Sequence, residues 1–328
     1  MKLSLEQLRP LIYGAIIVEE GADGKISLCR FTPSQRAAYD PAKNITTQIP
    51  ATAGMRLELI TNADRFSFDY WTRSASARRY YYFDVYVDGA LVKHFGHEDV
   101  KAVQSTLTVD LPAGEHVLAV YFPNLFSVQI KNVTLTDGAT FAPVKKSCRM
   151  ICYGDSITQG YDAFYPSKSY VNRLADLLNA HVVDFGVGGE VFRPELVTTE
   201  LDFEPDIVTV AYGSNDFTKK KSRADMVRDA NALHAHVRAA YPKAKIFAIT
   251  PVWRHDWDRT TAVGTFADAI QIAYDAAAAQ PGVVIVDGMT LVPHSTDFYY
   301  DGLHPTDEGF GYYADRLYAA MKPYLNKK

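Results

Sequence analysis

The sequence predicts an α/β chain in two parts, an all-β sandwich or jelly roll followed by a parallel sheet covered by helices on both faces. Three observations carry this reading. Up to about Pro143, short runs alternate apolar and polar side chains and are broken by turn pairs. Beyond Lys145, strand-like apolar runs alternate with long helix-favouring segments. The length, 328 residues, exceeds a typical single domain. The division is placed between residues 1–145 and 146–328.

In the first part the period is two. Met55 to Ile60, Phe66 to Trp71 and Tyr82 to Val87 alternate, and the last ends on Asp88-Gly89, a pair that readily supplies the positive φ of a tight hairpin. Thr106 to Leu111, Val117 to Phe122 and Val128 to Leu135 continue the pattern, and no helical period is expected between Ile26 and Pro143. In the second part Arg149 to Tyr153, His181 to Phe185, Ile207 to Tyr212, Ile246 to Thr250 and Val283 to Val286 read as buried strands. Tyr170 to Leu178, Ala224 to Ala240, Phe266 to Ala279 and Thr306 to Met321 read as the helices between and after them.

Composition narrows the function. Hydrophobic residues make up 48% and charged residues 22%, as in ordinary globular proteins. The 34 basic and 38 acidic residues give a net charge of −4. The longest basic run is Lys219 to Lys221, so a nucleic-acid partner is not expected. Cys29, Cys148 and Cys152 cannot all pair and match no zinc spacing, and are read as buried residues or free thiols. The apolar run Leu11 to Val18 is too short to span a bilayer and is followed by Glu19-Glu20. A cytoplasmic location without membrane attachment is the expectation.

Parallel sheets carry their sites beyond the carboxyl ends of the strands. Four clusters fall there: Gly154-Asp155-Ser156, Gly186 to Glu190, Gly213-Ser214-Asn215-Asp216 and Asp301-Gly302-Leu303-His304-Pro305. Together they hold what acyl transfer by serine requires. Ser156 is the candidate nucleophile, His304 its base, and Asp301 the group that orients the imidazole. Donors for an oxyanion are the backbone N–H of Ser156, one in the glycine cluster, and the amide of Asn215.

These four blocks resemble the SGNH (GDSL) hydrolase family in order and spacing. Gly154-Asp155-Ser156-Ile157-Thr158 with Gln159-Gly160 matches the first block, Gly189 the second-block glycine, Gly213 to Asp216 the third block, and Asp301 to Pro305 the fifth. The resemblance runs from about Arg149 to Tyr324 and implies a flavodoxin-like sheet, a Ser156–His304–Asp301 triad and an oxyanion hole of Ser156, Gly189 and Asn215. One departure is Asp184, where the family's second block often opens with Asn. A leading sandwich beside such a domain resembles two-domain carbohydrate esterases, which implies ester hydrolysis without metal or organic cofactor, on an O-acetylated sugar or other small ester. A general short-chain acyl-esterase, or a non-catalytic glycan-binding protein, are the alternatives.

Other features have plainer readings. Gly186 to Gly189 lacks dinucleotide-loop spacing, Asp155 and Asp216 brace their turns, and His234 and His236 point to different faces of one helix. Lys219 to Lys221 is read as a solvated face, and Tyr80 to Tyr86 as sheet packing. Trp253, His255 and Trp257 follow the fourth strand, and Phe298, Tyr299 and Tyr300 precede Asp301; of these, Trp253, His255, Trp257, Tyr299 and Tyr300 are candidate substrate contacts. The segment Gly288 to Pro305 is long for a strand-to-helix connection and must carry His304 back to Ser156.

Overall fold

Alternation along the first part has a simple consequence, because strands with one apolar face must pair that face with another sheet. The computed structural model, which describes residues 1–39, 48–96, 103–219 and 221–325, contains two antiparallel sheets there. One orders its strands Ile12–Tyr13, Arg56–Thr61, His116–Tyr121, Tyr82–Val87 and Ala90–Gly96, with Phe141–Pro143 also paired to Arg56–Thr61. The other orders Ile17–Glu20, Ile26–Cys29, Phe126–Leu135, Arg65–Ser74 and Gln104–Asp110. Phe66, Phe68 and Tyr70 are buried at every second position of one strand. Phe68 packs edge-on against Phe83 and Phe122 of the facing sheet, with ring centres 6.1 and 6.2 Å apart. Asp88 and Gly89 take φ of 50° and 79° and join two of the strands as a hairpin.

The expectation of uninterrupted β structure after Ile26 is corrected at one place. Pro33–Ala38 is a short helix, started by a capping box in which Thr32 and Gln35 exchange hydrogen bonds, with Pro33 in the first turn. Its signal is the local capping box alone, since six residues are too few to show a helical period.

The second part is a five-stranded parallel sheet. Its strand order is Ala180–Gly186, Cys148–Gly154, Ile207–Ala211, Lys245–Ile249 and Val283–Val286. Numbered along the chain this is 2-1-3-4-5, the flavodoxin-like order. The helices Arg223–Ala240 and Phe266–Ala278 cover one face, and Tyr170–Leu178 and Asp307–Leu325 the other. Cys148 is the first residue of its strand rather than preceding it, and all three cysteines are unpaired. No helix among the described residues is long and apolar enough to cross a membrane.

The two parts share more than a surface. Phe31, Tyr39 and Ile49, from before the sequence division, belong to the same buried cluster as Val183, Phe185 and Val210 of the parallel sheet.

Candidate active site

The chain reverses sharply after the strand Cys148–Gly154, and this presents Ser156. The Asp155 carboxylate accepts the backbone N–H of Ile157 at 3.0 Å and so caps the one-turn helix Ser156–Gln159, which stops at Gly160 with φ 85°. A Cβ on Gly154 would stand 1.9 Å from Thr158 Oγ1, so the tight turn needs a glycine there. Ser156 is buried, 5% exposed. Burial raises the Asp155 carboxyl to about 6, against the hydrogen bond from Ile157.

His304 arrives from the long segment after the last strand. Its Nε2 is 2.8 Å from Ser156 Oγ and its Nδ1 2.8 Å from Asp301 Oδ2. The other Asp301 oxygen accepts the backbone N–H of His304 at 2.9 Å and of Leu303 at 3.1 Å. Burial alone would raise the Asp301 carboxyl, but the bonds from His304 outweigh it and hold the group well below the usual carboxylate range. An ionised Asp301 accepts Nδ1–H, which leaves Nε2 as the acceptor facing the serine hydroxyl. The segment is pinned by Tyr300 N–H donating to His304 O at 2.8 Å and His255 N–H donating to Gly302 O at 2.7 Å.

The glycine cluster and Asn215 both reach the nucleophile turn: Gly188 N–H donates to Gln159 Oε1 at 2.7 Å, and the Asn215 amide touches Asp155. Gly189 has φ 77°, and among the described residues no acceptor lies on its N–H or on that of Ser156. The Asn215 amide gives one N–H to Glu190 O at 2.9 Å, while its contact to Asp155 Oδ2 is long, at 3.4 Å. Both N–H groups of the amide therefore have acceptors, and the weaker bond to Asp155 is the one a ligand oxygen would displace. Asp216 is buried and accepts the backbone N–H of Phe192 at 3.2 Å, bracing this loop.

Several groups at the site carried no signal in the sequence. Asp162 is buried at φ 65° and its Oδ2 stands 3.5 Å from His304 Nδ1. Arg78, from the β-rich part, donates to Asp162 and also to Asp301 Oδ2 at 3.2 Å. Tyr161 stacks on the His304 ring at 5.2 Å and donates to Gln48, whose amide donates to Gly188 O. Lys219 donates to Gly189 O, and Lys221 bridges Asp216 and Asp229, so these two lysines are tied down rather than merely solvated; Lys220 lies outside the described residues. Ligand atoms of Asp162, Asp301 and His304 lie within 4.8 Å of one another, a spacing a cation could use. The Arg78 guanidinium already supplies positive charge to both carboxylates.

The candidate substrate contacts divide. Trp253 and Tyr299 are 8% and 4% exposed and pack on each other with ring centres 5.1 Å apart. Tyr300 and Trp257 are 58% and 52% exposed, and His255 is exposed beside Gly302. Tyr300 adjoins Phe164, which stacks on Tyr80 at 4.9 Å and lengthens the aromatic wall beside Asp301. Of the run Tyr80 to Tyr86, the five residues Tyr81 to Val85 are buried.

Residues 152–311 match the model of the GDSL-like lipase/acylhydrolase family. The chain carries an SGNH (GDSL) hydrolase domain. It is accordingly a carboxylic ester hydrolase. Similar solved structures span both parts. A salicylyl-acyltransferase from a tetracycline biosynthetic pathway is 23% identical with TM-score 0.81, covering 95% of this chain and 94% of that one. A family two carbohydrate esterase from Clostridium thermocellum in complex with cellohexaose is 20% identical with TM-score 0.67, covering 84% and 94%. An acetyl xylan esterase from the rumen bacterium Butyrivibrio proteoclasticus is 14% identical with TM-score 0.68, covering 99% and 98%. No curated protein matches the sequence. At the SGNH position where Asn is frequent, Asp184 is buried with Arg30, whose guanidinium lies 3.8 Å away.

Proposed function

We propose that the protein is a serine esterase that removes O-acyl groups, first of all O-acetyl, from a carbohydrate through an acyl-enzyme. The observation that carries this reading is the continuous line of contacts Asp301–His304–Ser156 ending beside unoccupied N–H donors. Ser156 Oγ attacks the ester carbonyl while its proton passes to His304 Nε2, and Asp301 stabilises the imidazolium that forms. The N–H groups of Ser156 and Gly189 and the Asn215 amide take the charge on the carbonyl oxygen. Collapse breaks the bond to the alcohol, which leaves with the proton from His304. Water, activated by the same imidazole, then attacks the acyl-enzyme and releases the acid.

Three features support a sugar as the alcohol. Tyr300, next to Asp301 and against Phe164, presents an exposed aromatic face of the kind that suits the apolar face of a pyranose. The β-rich part supplies Gln48 and Arg78 to the rim, as a substrate-shaping domain would. Two structures of similar fold are of carbohydrate esterases. The reading is tested by acetate release from a panel of acetylated oligosaccharides, beside an aryl ester series of increasing acyl length. Preference for acetyl with release from an oligosaccharide supports it. Rising activity with acyl length and none on sugars would favour the short-chain acyl-esterase alternative instead.

A further inference from the structure

We infer that the β-rich part completes the catalytic centre: Arg78 clamps Asp162 and Asp301 together against the imidazole of His304, making Asp162 a second positioning carboxylate. The inference rests on the esterase reading of Ser156, His304 and Asp301.

Arg78 lies between the strands Arg65–Ser74 and Tyr82–Val87, more than eighty residues from Asp162 and over two hundred from Asp301. Its Nε donates to Asp162 Oδ1 at 2.6 Å and its Nη2 to Asp162 Oδ2, a two-pronged grip that a guanidinium makes and an ammonium cannot. The same Nη2 reaches Asp301 Oδ2 at 3.2 Å, the oxygen that accepts from His304 Nδ1. Tyr80 OH adds a bond to Asp162 Oδ1 at 2.8 Å. Asp162 thus spends both oxygens on residues of the other part while Oδ2 faces His304 Nδ1 at 3.5 Å. A positive φ at a non-glycine residue is an unfavourable conformation, and here it aims the carboxylate at the imidazole.

The charges explain the arrangement. Two carboxylates around one Nδ1 repel each other, and without a cation one would take up a proton or swing away. Arg78 offsets that repulsion by donating to both carboxylates. The formal charges of Arg78, Asp162 and Asp301 sum to minus one, which an imidazolium formed at His304 during the reaction would balance. The remaining neighbours of the ring are Tyr161, stacked on it and itself 5.5 Å from the Arg78 guanidinium, Ser156 at Nε2, and the buried Asp155 behind the nucleophile turn.

The test uses the full chain and compares wild type with Arg78→Met, Arg78→Lys and Asp162→Asn, each first shown to melt cooperatively. The His304 ring is titrated by nitrogen NMR, which needs no turnover, and kcat and KM are measured on an aryl acetate across pH. Removing the cation should move the His304 titration and the acidic limb of kcat/KM to higher pH, by about one unit in Arg78→Met. Removing a carboxylate in Asp162→Asn should move both to lower pH, and Arg78→Lys should lie nearer wild type. In Arg78→Met kcat should fall roughly 10- to 100-fold with little change in KM, since a displaced base slows chemistry more than binding. Opposite shifts in the two variants support the clamp. Superimposable titrations in all four proteins would overturn it, because a role in folding alone moves no titration. Failure of the esterase reading would look different: wild type would release no acid from any ester, whatever the NMR showed.

Discussion

Arg30 and Asp184 form a buried pair that joins the amino-terminal chain to the second strand of the parallel sheet. The guanidinium donates to the backbone carbonyls of Ala51, Asp184 and Gly186 and stands 3.8 Å from the Asp184 carboxylate. Burial pushes the Asp184 carboxyl up to about 7, against the pull of Arg30. An SGNH domain that carries Asp where Asn is frequent thereby gains a charged partner from the preceding part.

Arg30→Met should destabilise the protein by about 3–5 kcal/mol, because it leaves Asp184 charged or unpaired in the interior. The double variant Arg30→Met with Asp184→Asn should recover much of that loss. Chemical denaturation of the three proteins checks this, and a single variant as stable as wild type would show that the pair contributes nothing.

A fragment beginning at Lys146 should not reach the native fold. It lacks Arg30, and it lacks Phe31, Tyr39 and Ile49, which fill one face of its own sheet. Near-ultraviolet circular dichroism of the fragment should lack the tertiary signal of the full chain, and a native-like spectrum with a cooperative melt would contradict this packing argument.

Asn215→Ala should lower kcat by roughly 10²–10³ and leave KM nearly unchanged, as expected for one lost donor to a developing oxyanion. Steady-state kinetics on an aryl acetate measures it. A raised KM at constant kcat would assign Asn215 to ground-state binding.

Tyr300→Ala should raise KM for an acetylated oligosaccharide severalfold and leave an aryl acetate unaffected, because a small ester does not reach the exposed ring. Equal effects on both substrates would place Tyr300 in the acyl pocket or in support of the Asp301 loop.

Local patterns made much of this molecule legible in sequence. The strands Ile207–Ala211 and Val283–Val286 and the helix Tyr170–Leu178 stand out because each is a continuous apolar run or a clear helical period. The site blocks around Ser156, Gly189, Asn215 and His304 were found for a related reason, since each is a short motif following its own strand or loop. What sequence could not supply is pairing across the chain. Arg78 looks like any charged residue between two strands until Asp162 lies against it. Asp162 lies just beyond the first block and gains meaning only from its positive φ and its distance to His304. The helix Pro33–Ala38 is six residues long, too short to show a helical period, and only its local capping box announces it.

The central claim is that Ser156 carries the acyl group, and mass spectrometry of the acid-quenched enzyme during turnover of an aryl acetate tests it most directly. The peptide containing Ser156 should gain the mass of one acetyl group, the label should sit on Ser156, and Ser156→Ala should show neither label nor turnover. Turnover persisting in Ser156→Ala at more than a few hundredths of the wild-type kcat, or an acetyl group lodged on another residue, would contradict the account.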